Sequence, residues 1–142
     1  MIRIVCNAKL NLFLKVYSKR SDGFHDLISV MQSIDLADTL EIRQEAGDFE
    51  ITCSNPTVPL DENNSVRRAA KLLSEKFGRS LDGLRIRIEK NIPVMGGLAG
   101  GSADAAGTIS GLVKLWELDV PDKELLILAA RIGSDVPFCM LG

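Results

Sequence analysis

The chain has 142 residues, a length that suits one domain around a single buried core. Hydrophobic residues make up 46% and charged ones 25%, which excludes wholesale disorder. A net charge of −2 without a basic run excludes a general nucleic-acid or acidic-membrane binder, and no apolar stretch reaches the length of a membrane span.

The N-terminus lacks the apolar centre of a signal peptide. It reads instead as a strand, with Leu10, Leu12, Leu14 and Val16 alternating against Lys9, Asn11, Phe13 and Lys15. Such a strand is half-buried and puts Lys9 and Asn11 on one face, roughly 6.5–7 Å apart. Ser18 to Gly23 carries turn chemistry centred on Asp22-Gly23. A second apolar stretch, Leu27 to Ile34, is followed by the alternation of Leu40 and Ile42, and after Gly47-Asp48 by that of Phe49, Ile51 and Cys53. The loop holding Pro56 and Pro59 leads to a helix with Val66, Ala69, Ala70, Leu73 and Phe77 on one face. Asn64 or Ser65 caps its start and Gly78 its end.

Leu84, Ile86 and Ile88 mark another amphipathic strand, ending near Lys90. Helices are expected from about Ala103 through Trp116 and from about Pro121 to Ile132, the latter stopped by Gly133. Strands interspersed with helices, without a regular βαβα repeat, predict an α+β domain. Val136 to Gly142 is an apolar run without a polar tail and reads as a buried strand cut short, so the chain is expected to be part of a longer protein. Cys6, Cys53 and Cys139 are scattered, with no CxxC and one histidine, His25. They predict reduced thiols in a cytoplasmic protein rather than a zinc site.

The segment with most chemical content runs from Pro93 to Gly107, between a strand and a helix: Pro93, Val94, Met95, Gly96, Gly97, Leu98, Ala99, Gly100, Gly101, Ser102, Ala103 and then small residues. Glycines let backbone approach an anion closely, and the first turn of the next helix offers unpaired N–H groups at the positive end of its dipole. Phosphate fits that place. Ser102 is either a helix cap or a hydroxyl for phosphate or magnesium (Mg2+). Gly107 and Gly111, one turn apart, offer a flat face for packing against a strand. The loop is not a Walker A element, because Ser102 stands where the lysine belongs, and it lacks the GxGxxG fingerprint.

This loop resembles the phosphate-binding motif of the GHMP kinases. AKLNLFLKV (Ala8 to Val16), the segment from Arg20 to Leu27 with its DGFH, and IGSDVPF (Ile132 to Phe138) resemble further motifs of one branch, in that family's order. That branch phosphorylates the 2-hydroxyl of cytidyl diphosphate methylerythritol with ATP and Mg2+, on the non-mevalonate route to isoprenoid precursors. The resemblance implies the family's N-terminal, ATP-binding domain over residues 1–142, like the second domain of ribosomal protein S5, with the C-terminal domain outside this chain. It implies that Lys9 and Asp135 form a catalytic pair, that Asn11 binds substrate, that His25 reads the cytosine edge and that Phe24 stacks on the ring. Many members have tyrosine at the Phe24 position. Asn64 matches a position near adenine, and residues 93–103 cradle the phosphates. Small-molecule substrate and ATP are the implied partners, with no nucleic acid or membrane.

Read without the resemblance, Lys9 is a solvated lysine on an amphipathic strand, Asp135 closes a turn before Pro137, His25 is a loop histidine and Phe24 anchors that loop. Two other functions fit parts of the pattern. Another GHMP kinase, of mevalonate or homoserine type, would keep the glycine loop but has no use for an aromatic–histidine pair. A non-catalytic RNA-binding module of the same fold would need a basic patch, which a pI near 5.4 does not favour.

Overall fold

Alternation in the N-terminal part of the chain builds two long strands, β1 (Ile2–Lys19) and β2 (His25–Gln44), paired antiparallel. The apolar stretch at Leu27–Ile34 and the alternation at Leu40/Ile42 therefore belong to one element. The coordinates, a computed structural model, describe all 142 residues except Asp22 and Phe24, so half of the expected Asp22-Gly23 turn and the expected stacking of Phe24 lie outside the described residues. β3 (Glu50–Cys53) and β4 (Leu84–Glu89) complete a sheet of order β1-β2-β4-β3. β4 runs antiparallel to β2 and parallel to β3. A parallel pair needs a crossover, and α1 (Ser65–Phe77) supplies it.

The expected caps of α1 are present: Asn64 accepts from the amides of Val66 and Arg67, and Gly78 closes the helix at a φ of 62°. α2 (Gly100–Leu115) and α3 (Asp122–Ile132) follow β4, and all the helices lie on one side of the sheet. Leu40, Ile42, Leu84, Ile86 and Ile88 face them and are fully buried. Arginines and glutamates occupy the opposite side, in pairs such as Arg85–Glu50 at 3.1 Å and Arg87–Glu89 at 3.0 Å. The architecture is α+β, as the interspersed periodicities predict.

α2 is the central helix, touching β1, β2 and the other three helices. Its closeness to the sheet depends on two glycines. A Cβ on Gly107 would stand 2.3 Å from Cys6 Sγ, and one on Gly111 would stand 2.4 Å from Ile42 Cδ1. The flat face expected of these residues is thus filled by the sheet itself.

Two expectations fail. Val136 to Leu141 is not a strand but a short helix, α4. Pro137 lies in its first turn, where a missing N–H costs nothing, and a short apolar run does not distinguish strand from buried helix by periodicity. The outer part of β1 is not half-buried either: Leu12, Leu14 and Val16 are each more than half exposed, as are Leu27, Ile28 and Val30 of β2. Here the two strands form a ribbon reaching past the helical layer.

Candidate functional site

The glycine loop leaves β4 at Lys90 and enters α2 at Gly100, so the helix begins three residues before the expected Ala103. Glycine's unfavourable place in helices hides this start from a propensity reading. Ser102 is therefore not the cap. Ala99 takes that position at a φ of 59°, without a side-chain hydrogen bond, so the first-turn amides of α2 have no capping side chain. Met95 and Gly97 also have positive φ, at 61° and 72°. A left-handed residue with a Cβ costs of order 1–3 kcal/mol and persists only where its surroundings hold it.

The loop walls a cleft of about 500 Å3. Residues 93–102 line one side, Asn64 and Ser65 of α1 stand on another, and Ile132 and Asp135 stand on a third. Ser65 Oγ donates to the carbonyl of Gly101 at 2.6 Å, tying the start of α1 to the start of α2. Asn64 is present, but its side chain is already engaged: Oδ1 caps α1 and Nδ2 donates to the Pro59 carbonyl at 2.8 Å.

Lys9 and Asp135, at opposite ends of the chain, form an ion pair of 3.2 Å. Irregular pairing between Asn7 and Lys9 makes this possible. Cys6 and Ala8 face the helices, and a register shift at Ala8 turns the next side chain, Lys9, to the buried side as well. The Lys9 amide then donates to the carbonyl of Leu98 at 3.1 Å, joining the bulge to the glycine loop. The Lys9 side chain is 5% exposed, whereas that of Asp135, which lines the cleft, is 34% exposed. The geometry offers a carboxylate open to a ligand, held by a cation that solvent barely reaches.

Asn11 and His25 do not line this cleft. Asn11 is exposed and its Oδ1 accepts from Ser29 Oγ at 3.0 Å, while His25 pairs with Lys19 at the far end of the ribbon. The structure thus brings together Lys9, Asp135, Asn64 and the glycine loop, and leaves Asn11 and His25 on the ribbon.

Sequence reasoning missed a buried charge cluster beneath the loop. Lys90 Nζ contacts Asp38 Oδ2 and lies 2.8 Å from Asp104 Oδ2. Asp38 Oδ1 accepts from the amides of Asn91 at 2.6 Å and Ile92 at 2.8 Å. Burial pushes the Asp104 carboxyl up to about 7 against the opposing pull of Lys90. Burial alone would lower the Lys90 ammonium, but its attraction to Asp104 and hydrogen bonds to both carboxylates hold it above its ordinary value. One signal was available: Asp38 shares the strand parity of Leu40 and Ile42, a charge in register with core positions.

Among the described residues no three His, Cys, Asp or Glu gather as metal ligands, and no helix is long and apolar enough to cross a membrane. The hard oxygen donors at the cleft, the Ser102 hydroxyl and the Asp135 carboxylate, suit magnesium carried in by phosphates rather than held in a protein cage. The cysteines are all free.

The family model for the GHMP kinases N terminal domain matches residues 64–142, more than half of the chain. A 4-diphosphocytidyl-2-C-methyl-D-erythritol kinase of Bacillus cereus is 53% identical over 136 residues, 95% of this chain and 47% of the relative. One of Caldanaerobacter subterraneus subsp. tengcongensis is 47% identical over 141 residues, 99% of this chain and 48% of the relative. The chain spans about half the length of the curated relatives it matches. A crystal structure of 4-(cytidine 5'-diphospho)-2C-methyl-D-erythritol kinase superposes with a TM-score of 0.80 at 36% identity, over 99% of this chain and 49% of that one. A mevalonate kinase structure, at 17% identity and a TM-score of 0.69 over 97% of this chain and 47% of its own, shares the fold.

Proposed function

This chain belongs to the GHMP kinases, and from that premise we propose that it is the ATP-binding part of an enzyme that phosphorylates the 2-hydroxyl of 4-diphosphocytidyl-2-C-methyl-D-erythritol. The observation that carries the reading is the Lys9–Asp135 pair opening onto the glycine-loop cleft. Phosphoryl transfer needs little covalent chemistry from the protein; it needs the reactants aligned and the developing charge stabilised. The uncapped amides at the start of α2 face the cleft, and phosphate oxygens would satisfy them. In this reading Asp135 accepts the proton of the attacking hydroxyl. Lys9 pairs with that carboxylate and adds positive charge beside the transferred group.

Asn64 serves by capping α1 and shaping the wall next to the nucleotide. Ser102 would offer its hydroxyl to Mg2+, which supplies charge neutralisation at the phosphates when bound. Acceptor recognition by Asn11, Phe24 and His25 is supported by the resemblance of their motifs and by the relatives' names. In this reading they present the cytidyl substrate along the ribbon.

The test is phosphoryl transfer from ATP in the complete protein, with the cytidyl substrate, mevalonate and homoserine offered in parallel. Transfer to the cytidyl substrate alone is expected. His25→Ala should raise its KM at least about tenfold, the loss of one desolvated polar contact, while leaving the KM for ATP within about twofold. Transfer to mevalonate or homoserine instead, or equal effects of His25→Ala on both KM values, would remove the cytidyl assignment.

A further inference from the structure

We propose that the buried cluster of Asp38, Lys90 and Asp104 is a positioning device that clamps both ends of the glycine loop and so sets the direction of its phosphate-facing amides. The inference rests on that loop being the nucleotide site proposed above. At the entering end, the two amides that start the loop, those of Asn91 and Ile92, both donate to one oxygen of Asp38, and Asn91 Nδ2 donates to the Ala37 carbonyl at 3.0 Å. At the leaving end, Asp104, one turn into α2, is held by Lys90. Lys90 joins the two ends, since its ammonium reaches both carboxylates.

That ammonium also lies directly against the first helical residue, where a Cβ on Gly100 would stand 2.9 Å from Lys90 Nζ. Between the clamped ends run Met95, Gly97 and Ala99, all at positive φ, with Met95 fully exposed. Conformations of this kind need support from outside the loop, and its exposed tip has little of its own. Three buried charges are a poor way to add stability, because a well-packed apolar trio of similar volume is often as good or better. What they add is direction. Both oxygens of Asp38 and Oδ2 of Asp104 hold named donors at the entering end, Lys90, Asn91 and Ile92. Asp104 carries that hold to the leaving end, its Oδ1 buried without a partner among the described residues.

Lys90 and Asp104 also line the cleft, whereas Asp38 is fully buried behind it, so Asp38→Asn is the variant that separates positioning from direct contact. In the complete protein, dissociation constants for ATP and for inorganic triphosphate are measured for Asp104→Asn and Asp38→Asn, beside thermal melts and the KM of the acceptor. Leu73→Ala, which loosens the core within α1, serves as the control for general destabilisation. Weakening one charge-assisted contact should lower affinity for both phosphate ligands about tenfold, with the acceptor KM within about twofold. The double variant should lose less than the product of the two single losses, because both act on one clamp.

Unchanged nucleotide affinity in both variants overturns the proposal, as does an equal loss in Leu73→Ala at a matched melting temperature. Should the aspartate variants not fold, hydrogen exchange on the unmodified protein decides. The amides of Asn91 and Ile92 must exchange only with global opening while residues 94–98 exchange fast, and fast exchange at Asn91 and Ile92 removes the clamp. An unmodified protein that binds neither ATP nor triphosphate overturns the reading of the site instead, and the exchange pattern then judges the clamp by itself.

Discussion

Lys9 owes its burial to a one-residue irregularity in β1, and Asp135 owes its place to the short Gly133-Ser134 link between α3 and α4. If Asp135 is the proton acceptor, Asp135→Asn keeps the shape of the side chain and removes its basicity. Turnover in the complete protein should fall by roughly 10²–10⁴-fold while the dissociation constant for ATP stays within about twofold. Turnover within a few-fold of the unmodified protein would take Asp135 out of the mechanism. Cys139, four residues further on, is held up at about 11, first by burial and then by the negative charge of Asp135. The sign follows from the direction. A thiol whose folded pKa lies above its unfolded value of 9.0 stays protonated in the native state while the unfolded chain ionises. Its contribution to stability is full below pH 9 and is lost as pH rises through about 11. Alkylation of Cys139 by iodoacetamide at pH 8 should accordingly be at least about tenfold slower than that of a free thiol, since the thiolate is the nucleophile. Labelling at the free-thiol rate would show that the carboxylate and burial do not act on it as described.

At the scale of the element, α2 combines two demands that ordinarily conflict. In the proposed function its first turn must leave amides free for a ligand, and its body must lie almost in contact with β1 and β2. Gly107 and Gly111 meet the second demand. Alanine is the better helix former by about 1 kcal/mol, so propensity alone would favour Gly107→Ala. The added Cβ would, however, stand 2.3 Å from the sulfur of Cys6, which is buried within β1. Overpacking of this kind costs about 1–3 kcal/mol, and the expected net effect is destabilisation, read as a lower denaturant midpoint at unchanged slope. A midpoint that rises would mean the sheet yields easily. The elements that sequence reading located well are those with local punctuation: α1 has Asn64 and Gly78 at its ends, and β4 alternates cleanly from Leu84 to Ile88. α2 and α4 were misplaced for local reasons as well. Two glycines conceal a helix start, and six mostly apolar residues carry no decisive period.

At the scale of the whole molecule, the site was legible in parts and not as an assembly. The glycine loop declares itself by composition, because few other needs gather Gly96, Gly97, Gly100 and Gly101 before a run of small residues. The meeting of Lys9 with Asp135 depends on how the two ends of the chain pack, which no spacing encodes; only the resemblance anticipated it. The clamp of Asp38, Lys90 and Asp104 went unseen for the same reason, as its members come from β2, the end of β4 and α2. In the proposed function, nucleotide and acceptor binding fall on different structural supports, the helical layer for one and the ribbon for the other.

Those supports meet at Lys9, whose amide donates to the Leu98 carbonyl and whose ammonium pairs with Asp135. Under the proposed function, phosphate bound by the loop bears on the residue that steadies the proposed base, and an acceptor bound along the ribbon bears on the same residue. If that function holds, the two ligands are expected not to bind independently. Whatever factor nucleotide applies to acceptor affinity, acceptor must return to nucleotide, because both paths close the same thermodynamic cycle.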